Sequence, residues 1–191
     1  MSEALSAPVA RAAVPGFGAL ELHRLDPDRD APLVHGWVTE ERARFWMMQD
    51  HSLEEVREVY TWIAGQPGLR AWLLRLDGEP VALLQDYLPE AEPVGEHYDV
   101  LPGDRGIHLL LAPPTGHRPG HSRTLLRFFL DFVLADPDVE RVVVEPDVAN
   151  EKSLRLLTRL GFEPDRVLDL PHKRARLAFL LRDRHQPLAA G

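Results

Sequence analysis

Cysteine is absent from the 191 residues, which excludes disulfides, thiolate metal sites and a cysteine nucleophile. No run approaches the ~20 continuous apolar residues of a membrane-spanning helix, so no membrane partner is expected. Basic residues are in deficit: 22 Lys and Arg face 30 Asp and Glu, a formal charge of −8. Nucleic-acid binding favours a basic face, so no nucleic-acid partner is expected either. An acidic field concentrates cationic small molecules, and it equally well serves only solubility. Neither the G-x-x-x-x-G-K-[ST] nor the G-x-G-x-x-G phosphate loop occurs. His117 and His121 stand four apart, but Pro119-Gly120 between them breaks any helical pair and no third ligand offers itself, so no metal is expected. Residues 1–14, rich in Ala and Pro, lack the basic start and apolar middle of a leader. They are expected to form a flexible arm, and a cytoplasmic location follows by default.

What is present is the balance of a globular chain, 45% hydrophobic and 27% charged, long enough for one domain over residues 15–183 with a short tail at 184–191. Alternation predicts a first strand at 19–25. Residues 30–48 carry His35, Trp37, Phe45 and Trp46 around a helix-turn-helix. Ser52 with Glu55 is a capping-box pair opening a helix to about residue 64. Residues 71–76 and 81–87 flank Asp77-Gly78 and predict a tight hairpin. Strands follow at 106–111, 141–144 and 175–181. Helices follow at 122–134 and at 150–160, the latter capped by Asn150 and closed by Gly161.

The strand 106–111 stops at Pro113-Pro114 and runs through Thr115-Gly116-His117-Arg118-Pro119-Gly120-His121-Ser122 into a helix. Glycine at such a junction lets the backbone approach a ligand. The free N–H groups and positive dipole end of the helix suit a pyrophosphate; an ordinary loop and cap would have the same sequence.

The order strand-loop-helix, then Val142-Val143-Val144-Glu145-Pro146-Asp147, Asn150 and a helix closing on Leu160-Gly161-Phe162, resembles the GNAT acyltransferases. The resemblance runs from about residue 19 to 181. The loop matches that family's phosphate motif only at Gly120, and Leu157 stands where many members carry a Tyr proposed to protonate the leaving thiolate. His35-Gly36-Trp37, Phe45-Trp46-Met47, Gly103-Asp104-Arg105-Gly106-Ile107-His108 and Glu145-Pro146-Asp147 are similar to the siderophore-building branch, which contains the desferrioxamine-, aerobactin- and mycobactin-type enzymes.

The resemblance implies an α/β fold: a mixed, mostly antiparallel twisted sheet with helices on both faces and a splayed central strand pair. It implies acyl-CoA (acetyl- or succinyl-CoA) as co-substrate, held by Leu109, Leu110, Leu111, Gly116, His117, Arg118, Gly120, His121, Ser122, Arg123, Asn150 and Ser153. It makes His108 and Asp147 the catalytic pair, although by residue type alone the first reads as a core histidine and the second as a turn residue. His35, Trp37, Phe45, Trp46, Asp86, Tyr87, His97, Asp104 and Glu145 are the candidate acceptor contacts, with the aromatic ones also serving a core.

The implied activity is acylation of an N-hydroxylated diamine such as N-hydroxycadaverine to a hydroxamate, because residues 86–104 hold Glu90, Glu92, Glu96 and Asp99 but no Lys, and Arg is absent from 86 to 104. Alternatives are an N6-(hydroxy)lysine acyltransferase of the mycobactin or aerobactin type, an aminoglycoside-type N-acetyltransferase, and a non-catalytic acyl-CoA-binding module. Monomer and homodimer stay equally open.

Overall fold

The computed structural model describes residues 6–114 and 120–188. They contain eight strands in one mixed sheet of order β1-β2-β3-β4-β5-β6-β8-β7. The strands are β1 (Ala10–Val14), β2 (Gly18–Arg24), β3 (Leu69–Leu76), β4 (Glu79–Tyr87), β5 (Asp104–Leu111), β6 (Arg141–Val144), β7 (Glu163–Leu170) and β8 (Lys173–Leu181). The helices are α1 (Pro27–Val38), α2 (Leu53–Gly65), α3 (His121–Leu134) and α4 (Glu151–Arg159). The chain groups into two compact units: among described residues, 6–85 with 109–114, and 86–108 with 120–188.

In the first unit, β1, β2 and β3 form antiparallel ladders. The hairpin turn between β3 and β4 puts Asp77 at φ 51° and Gly78 at φ 85°, the pair of left-handed residues that a two-residue turn needs. Asp77 also fixes the turn to its neighbour, exchanging backbone and carboxylate hydrogen bonds with Ala19, each 2.8 Å. α1 is capped by Asp26, and α2 by the capping box, in which Ser52 and Glu55 satisfy each other's backbone N–H. The two helices pack together, and Val34, Trp37 and Val38 of α1 and Val56, Tyr60 and Ile63 of α2 are buried. The second half of the expected helix-turn-helix is a single 3-10 stretch, Glu41–Trp46.

In the second unit, β6, β7 and β8 pair antiparallel, while β5 and β6 pair parallel at only three positions. α3 buries Leu125, Leu126, Phe128, Phe129, Leu130, Val133 and Leu134. α4 ends on Gly161 at φ 90°, where the Phe162 N–H returns to the Leu157 carbonyl and the Phe162 ring enters the core. That is a left-handed helix stop of the kind glycine permits.

Two expectations need correction. Residues 10–14 are not part of a flexible arm but strand β1, held by its ladder to β2. β7 was missed entirely. Its sequence EPDRVLDL contains a proline and four charges, and it exists because β8 supplies a ladder at the sheet edge, where polar side chains and proline are tolerated. Within the tail, His185 Nε2 lies 2.5 Å from Asp131 Oδ1, and the Leu188 N–H donates to Asp131 Oδ2 at 3.0 Å.

The capping box carries α2 without help from a basic last turn. Ser52→Ala is expected to lower stability by about 1 kcal/mol, read as an earlier urea midpoint at unchanged slope.

Candidate active site

The motif Gly103-Asp104-x-Gly106-x-His108 occupies the start of β5, and its spacing of two is the alternation of a strand. Asp104, Gly106 and His108 share one face. Each has a distinct partner within the second unit. The Asp104 carboxylate is buried and accepts from Arg141 Nε (2.6 Å) and Nη2 (2.7 Å), from the Tyr98 hydroxyl (2.9 Å) and from the Leu101 N–H (3.0 Å). Gly106 lies under the Tyr87 ring; a Cβ there would sit 2.1 Å from two ring carbons. His108 Nε2 lies 2.8 Å from Glu145 Oε1. Gly103 makes the turn before the strand at φ 89°.

The β5–β6 register pairs Asp104 with Arg141, Arg105 with Val142 and Gly106 with Val143, then the ladder ends. Carrying the same offset two residues on sets His108 beside Glu145. The pair therefore stands where the two parallel strands stop hydrogen-bonding. Glu145 is buried, with 6% of its surface exposed. Its Oε2 accepts from the Tyr87 hydroxyl at 2.7 Å, and its Oε1 is shared by His108 and by Lys173 Nζ at 3.3 Å. The Tyr87 and His108 ring centroids are 4.7 Å apart.

Burial pushes the Glu145 carboxyl up, but the charges and hydrogen bonds of His108, Lys173 and Tyr87 outweigh it and hold the group well below the ordinary carboxylate range. Burial, with the adjacent Glu145 charge, pushes the Tyr87 phenol well above its ordinary value, so it is a neutral donor. Burial also raises Glu92, with Glu145 adding to it, and lowers His172, with the Lys173 charge adding to it. An ionised carboxylate only accepts. In the neutral ring, therefore, His108 carries its proton on Nε2 and the lone pair on Nδ1.

The expected partner of His108 is thereby replaced. Asp147 turns its carboxylate to the Ala149 N–H at 2.7 Å, a local turn bond, and its backbone bridges to Ala175. Glu145, expected to contact the acceptor, is the carboxylate on the histidine. Asp86, Tyr87 and Asp104 are also misplaced as acceptor contacts: all three are enclosed, Asp86 with Arg105 Nη1 3.7 Å away. A carboxylate spent on protein donors has no open face for a substrate. His97 is half-buried.

In the first unit, His35 Nε2 is 3.1 Å from the His51 carbonyl, Trp37 is core, the Arg44 guanidinium covers Phe45 at 4.6 Å, and Trp46 Nε1 donates to Tyr60 at 3.2 Å. Leu110 is buried, while Leu109 and Leu111 are partly exposed. Arg42 donates to the Leu111 carbonyl at 2.6 Å.

Of the anticipated phosphate-binding residues, Gly116, His117 and Arg118 lie outside the described residues. Gly120 begins α3 in the left-handed region at φ 76°, and no side chain caps the helix there. α1, α2 and α4 each have a side-chain cap. The first-turn residues of α3, His121, Ser122 and Arg123, thus present a helix start without an acidic side chain, electrostatically suited to an anion. Asn150 caps α4, its Oδ1 accepting from the Ser153 N–H at 3.2 Å. The position expected to hold a tyrosine acid is Leu157, buried in α4.

Lys173 was not anticipated. It opens β8 directly after the turn from β7, so with β7 unread its placement was unreadable; no local motif marks it.

Two outcomes follow from this packing. Gly106→Ala is expected to displace the Tyr87 ring, destabilising the fold by about 1–3 kcal/mol in chemical denaturation. Glu145 stabilises the fold above the unfolded carboxyl value of 4.5, and that stability is lost as pH falls toward its lowered folded value. Thermal melting against pH is therefore expected to fall below about pH 4.5 in the wild type and to fall less steeply there in Glu145→Gln.

Comparison with known proteins agrees with this architecture. The chain is 28% identical over 162 residues to the N(6)-hydroxylysine O-acetyltransferase of Escherichia coli, covering 84% of this chain and 50% of that protein, so it spans half the relative's length. It is 26% identical over 155 residues to the aminoglycoside N(6')-acetyltransferase type 1 of Klebsiella pneumoniae, covering 78% of this chain and 76% of that one. The crystal structure of the aminoglycoside acetyltransferase AAC(6')-Ib in complex with coenzyme A superposes with a TM-score of 0.76 at 24% identity, over 86% of this chain and 96% of that one. The family model described as acetyltransferase (GNAT) domain matches residues 26–170, well over half of the sequence, and the chain belongs to that family.

Proposed function

We propose that this protein is an acyl-CoA-dependent N-acyltransferase whose acceptor is the terminal hydroxylamine nitrogen of an N-hydroxylated diamine, such as N-hydroxycadaverine, giving a hydroxamate. The observation that carries the reading is the His108–Glu145 pair at 2.8 Å, where the parallel strands part.

In this reading the thioester carbonyl lies along the end of β5, polarised by backbone N–H groups around Leu110. The acceptor nitrogen attacks that carbon, forming the C–N bond. Its proton passes to His108 Nδ1, the C–S bond breaks, and the thiolate is protonated from solvent, since Leu157 offers none, while His108 returns its proton to the same solvent. A hydroxylamine nitrogen is less basic than an alkylamine and already neutral near pH 7, so one positioned imidazole suffices as base. Glu145 keeps the ring in the tautomer that presents Nδ1. The CoA pyrophosphate is assigned to the uncapped start of α3, where Gly120 lets the backbone approach and His121, Ser122 and Arg123 begin the helix.

The acceptor class is supported by the Escherichia coli relative named for N(6)-hydroxylysine. The choice of a diamine over the amino acid is supported by the segment from Asp86 to Asp104. With Asp86 and Asp104 enclosed, it still offers Glu90, Glu92, Glu96 and Asp99 and no Lys. Within that segment an α-carboxylate would meet several acidic side chains and neither Lys nor Arg. A second reading, acetylation of an aminoglycoside, is supported by the Klebsiella pneumoniae relative and by the acidic balance of the chain, which suits a polycation.

Thiol release from acetyl-CoA and succinyl-CoA, measured with N-hydroxycadaverine, N6-hydroxylysine, lysine and kanamycin, separates these. The expected outcome is turnover on the hydroxylated diamine, reduced by 10²-fold or more in His108→Ala and little changed in Asp147→Asn. Preference for hydroxylysine would move the acceptor to the amino acid. Turnover on kanamycin alone would replace the reading, and CoA binding without turnover on any acceptor would reduce the protein to a binding module.

A further inference from the structure

We propose that Lys173 is a positioning residue of the acyl transfer inferred above: as the counter-ion of Glu145 it balances the buried carboxylate, so that His108 exchanges its proton during turnover instead of being held charged by an unbalanced anion. The proposal rests on that reading of the site, and its test is built to fail separately from it.

The geometry makes Lys173 and His108 competitors for one atom. Lys173 Nζ is 3.3 Å and His108 Nε2 is 2.8 Å from Glu145 Oε1, while Oε2 is taken by the Tyr87 hydroxyl at 2.7 Å. The Lys173 side chain is only 12% exposed, so its charge is weakly screened by water and acts on the carboxylate and imidazole together. Strand pairing sets its backbone. Leu170 registers with Lys173 across the β7–β8 hairpin, so only Pro171 and His172 lie in the turn. The ammonium is therefore delivered to the carboxylate by a tight turn rather than by a loop.

Among the described residues, several elements bring charged and titratable groups to His108. β4 contributes the neutral Tyr87. The loop before β5 contributes Glu92, which interacts with His108, Glu145 and Lys173. The residue after β6 is Glu145. The β7–β8 turn and β8 contribute His172 and Lys173. Of these, Lys173 is the permanent cation. With it in place, the Glu145 carboxylate is paired with a fixed cation as well as with the imidazole. Without it, His108 becomes the sole strong counter-ion of a buried anion, and a protonated imidazole cannot accept the proton of the attacking nitrogen. A general base works best when its affinity for the proton suits the operating pH, and a lysine placed against the carboxylate is a direct means of setting it.

The test reads the histidine itself. Side-chain ¹⁵N signals of the unliganded protein, with His108 assigned through His108→Gln, are followed against pH in the wild type, Lys173→Met, Lys173→Gln and Lys173→Arg. The midpoint of His108 is expected to rise by about one pH unit or more in the Met and Gln variants, and to stay close to wild type in the Arg variant, which keeps the charge. With whichever acceptor turns over, the acid limb of kcat/KM is expected to move up by the same interval in the Met and Gln variants, with the alkaline plateau retained. An unshifted midpoint in both neutral variants overturns the proposal. So does a uniform loss of rate at every pH that Lys173→Arg shares, since that marks a role in packing alone. The titration needs no substrate, so a protein inactive on all acceptors would sink the acyl-transfer reading while the midpoint still decides the role of Lys173.

Discussion

A carboxylate that is taken out of water must be met by donors from the protein, and at Glu145 this requirement organises the surrounding unit. Isolating such a charge costs several kcal/mol. Here three elements answer it: β4 with the Tyr87 hydroxyl, β5 with His108, and β8 with Lys173. None of the three can shift independently. Tyr87 reaches Glu145 only by laying its ring over β5, and it can do so only because position 106 has no Cβ. The glycine, the tyrosine, the histidine and the lysine are thus one packing solution to one buried charge.

Asp104 repeats the arrangement four residues earlier on the same face of β5, with a different purpose. Its four donors, two of them from the Arg141 guanidinium, tie the base of β5 to the base of β6, and the Phe179 ring lies 4.1 Å from the same guanidinium. The ladder between the strands is intact there and ends after Gly106. One carboxylate closes the strand pair and the next stands where it has opened. A catalytic group there can be both rigidly held and reachable: His108 keeps 27% of its side chain exposed, whereas Glu145 behind it keeps 6%.

The helix starts divide labour in a similar way. Three helices satisfy their first-turn N–H groups with Asp26, Ser52 and Asn150, residues that do so in almost any sequence context. α3 begins on a left-handed glycine with no side-chain cap. A helix start with no side-chain cap is costly in a purely structural helix, and it suits the anion site proposed there.

The elements that could be read from the sequence are those whose signals are local. The capping box at Ser52 and Glu55, the Asp77-Gly78 turn, the apolar stripe of α3 and the Gly161-Phe162 stop each lie within a few residues and depend on short-range stereochemistry. The family is also local, since Gly-Asp-x-Gly-x-His and Glu-Pro-Asp are contiguous. β1 and β7 were unreadable because β1 is mostly alanine, a poor strand former, β7 carries a proline and four charges, and each exists by pairing with a neighbour, β2 or β8. The carboxylate on His108 was assigned to Asp147 instead of Glu145 for a related reason: the two differ by two residues, and only the β5–β6 register and the local turn at Ala149 tell them apart. Lys173 was out of reach altogether, 28 residues from Glu145 and beyond a strand that carries no signal of its own. Sequence alone determined which residue types and which fold were present. Tertiary structure decided which charges meet, because a buried charge is satisfied through space and short-range patterns carry no information about it.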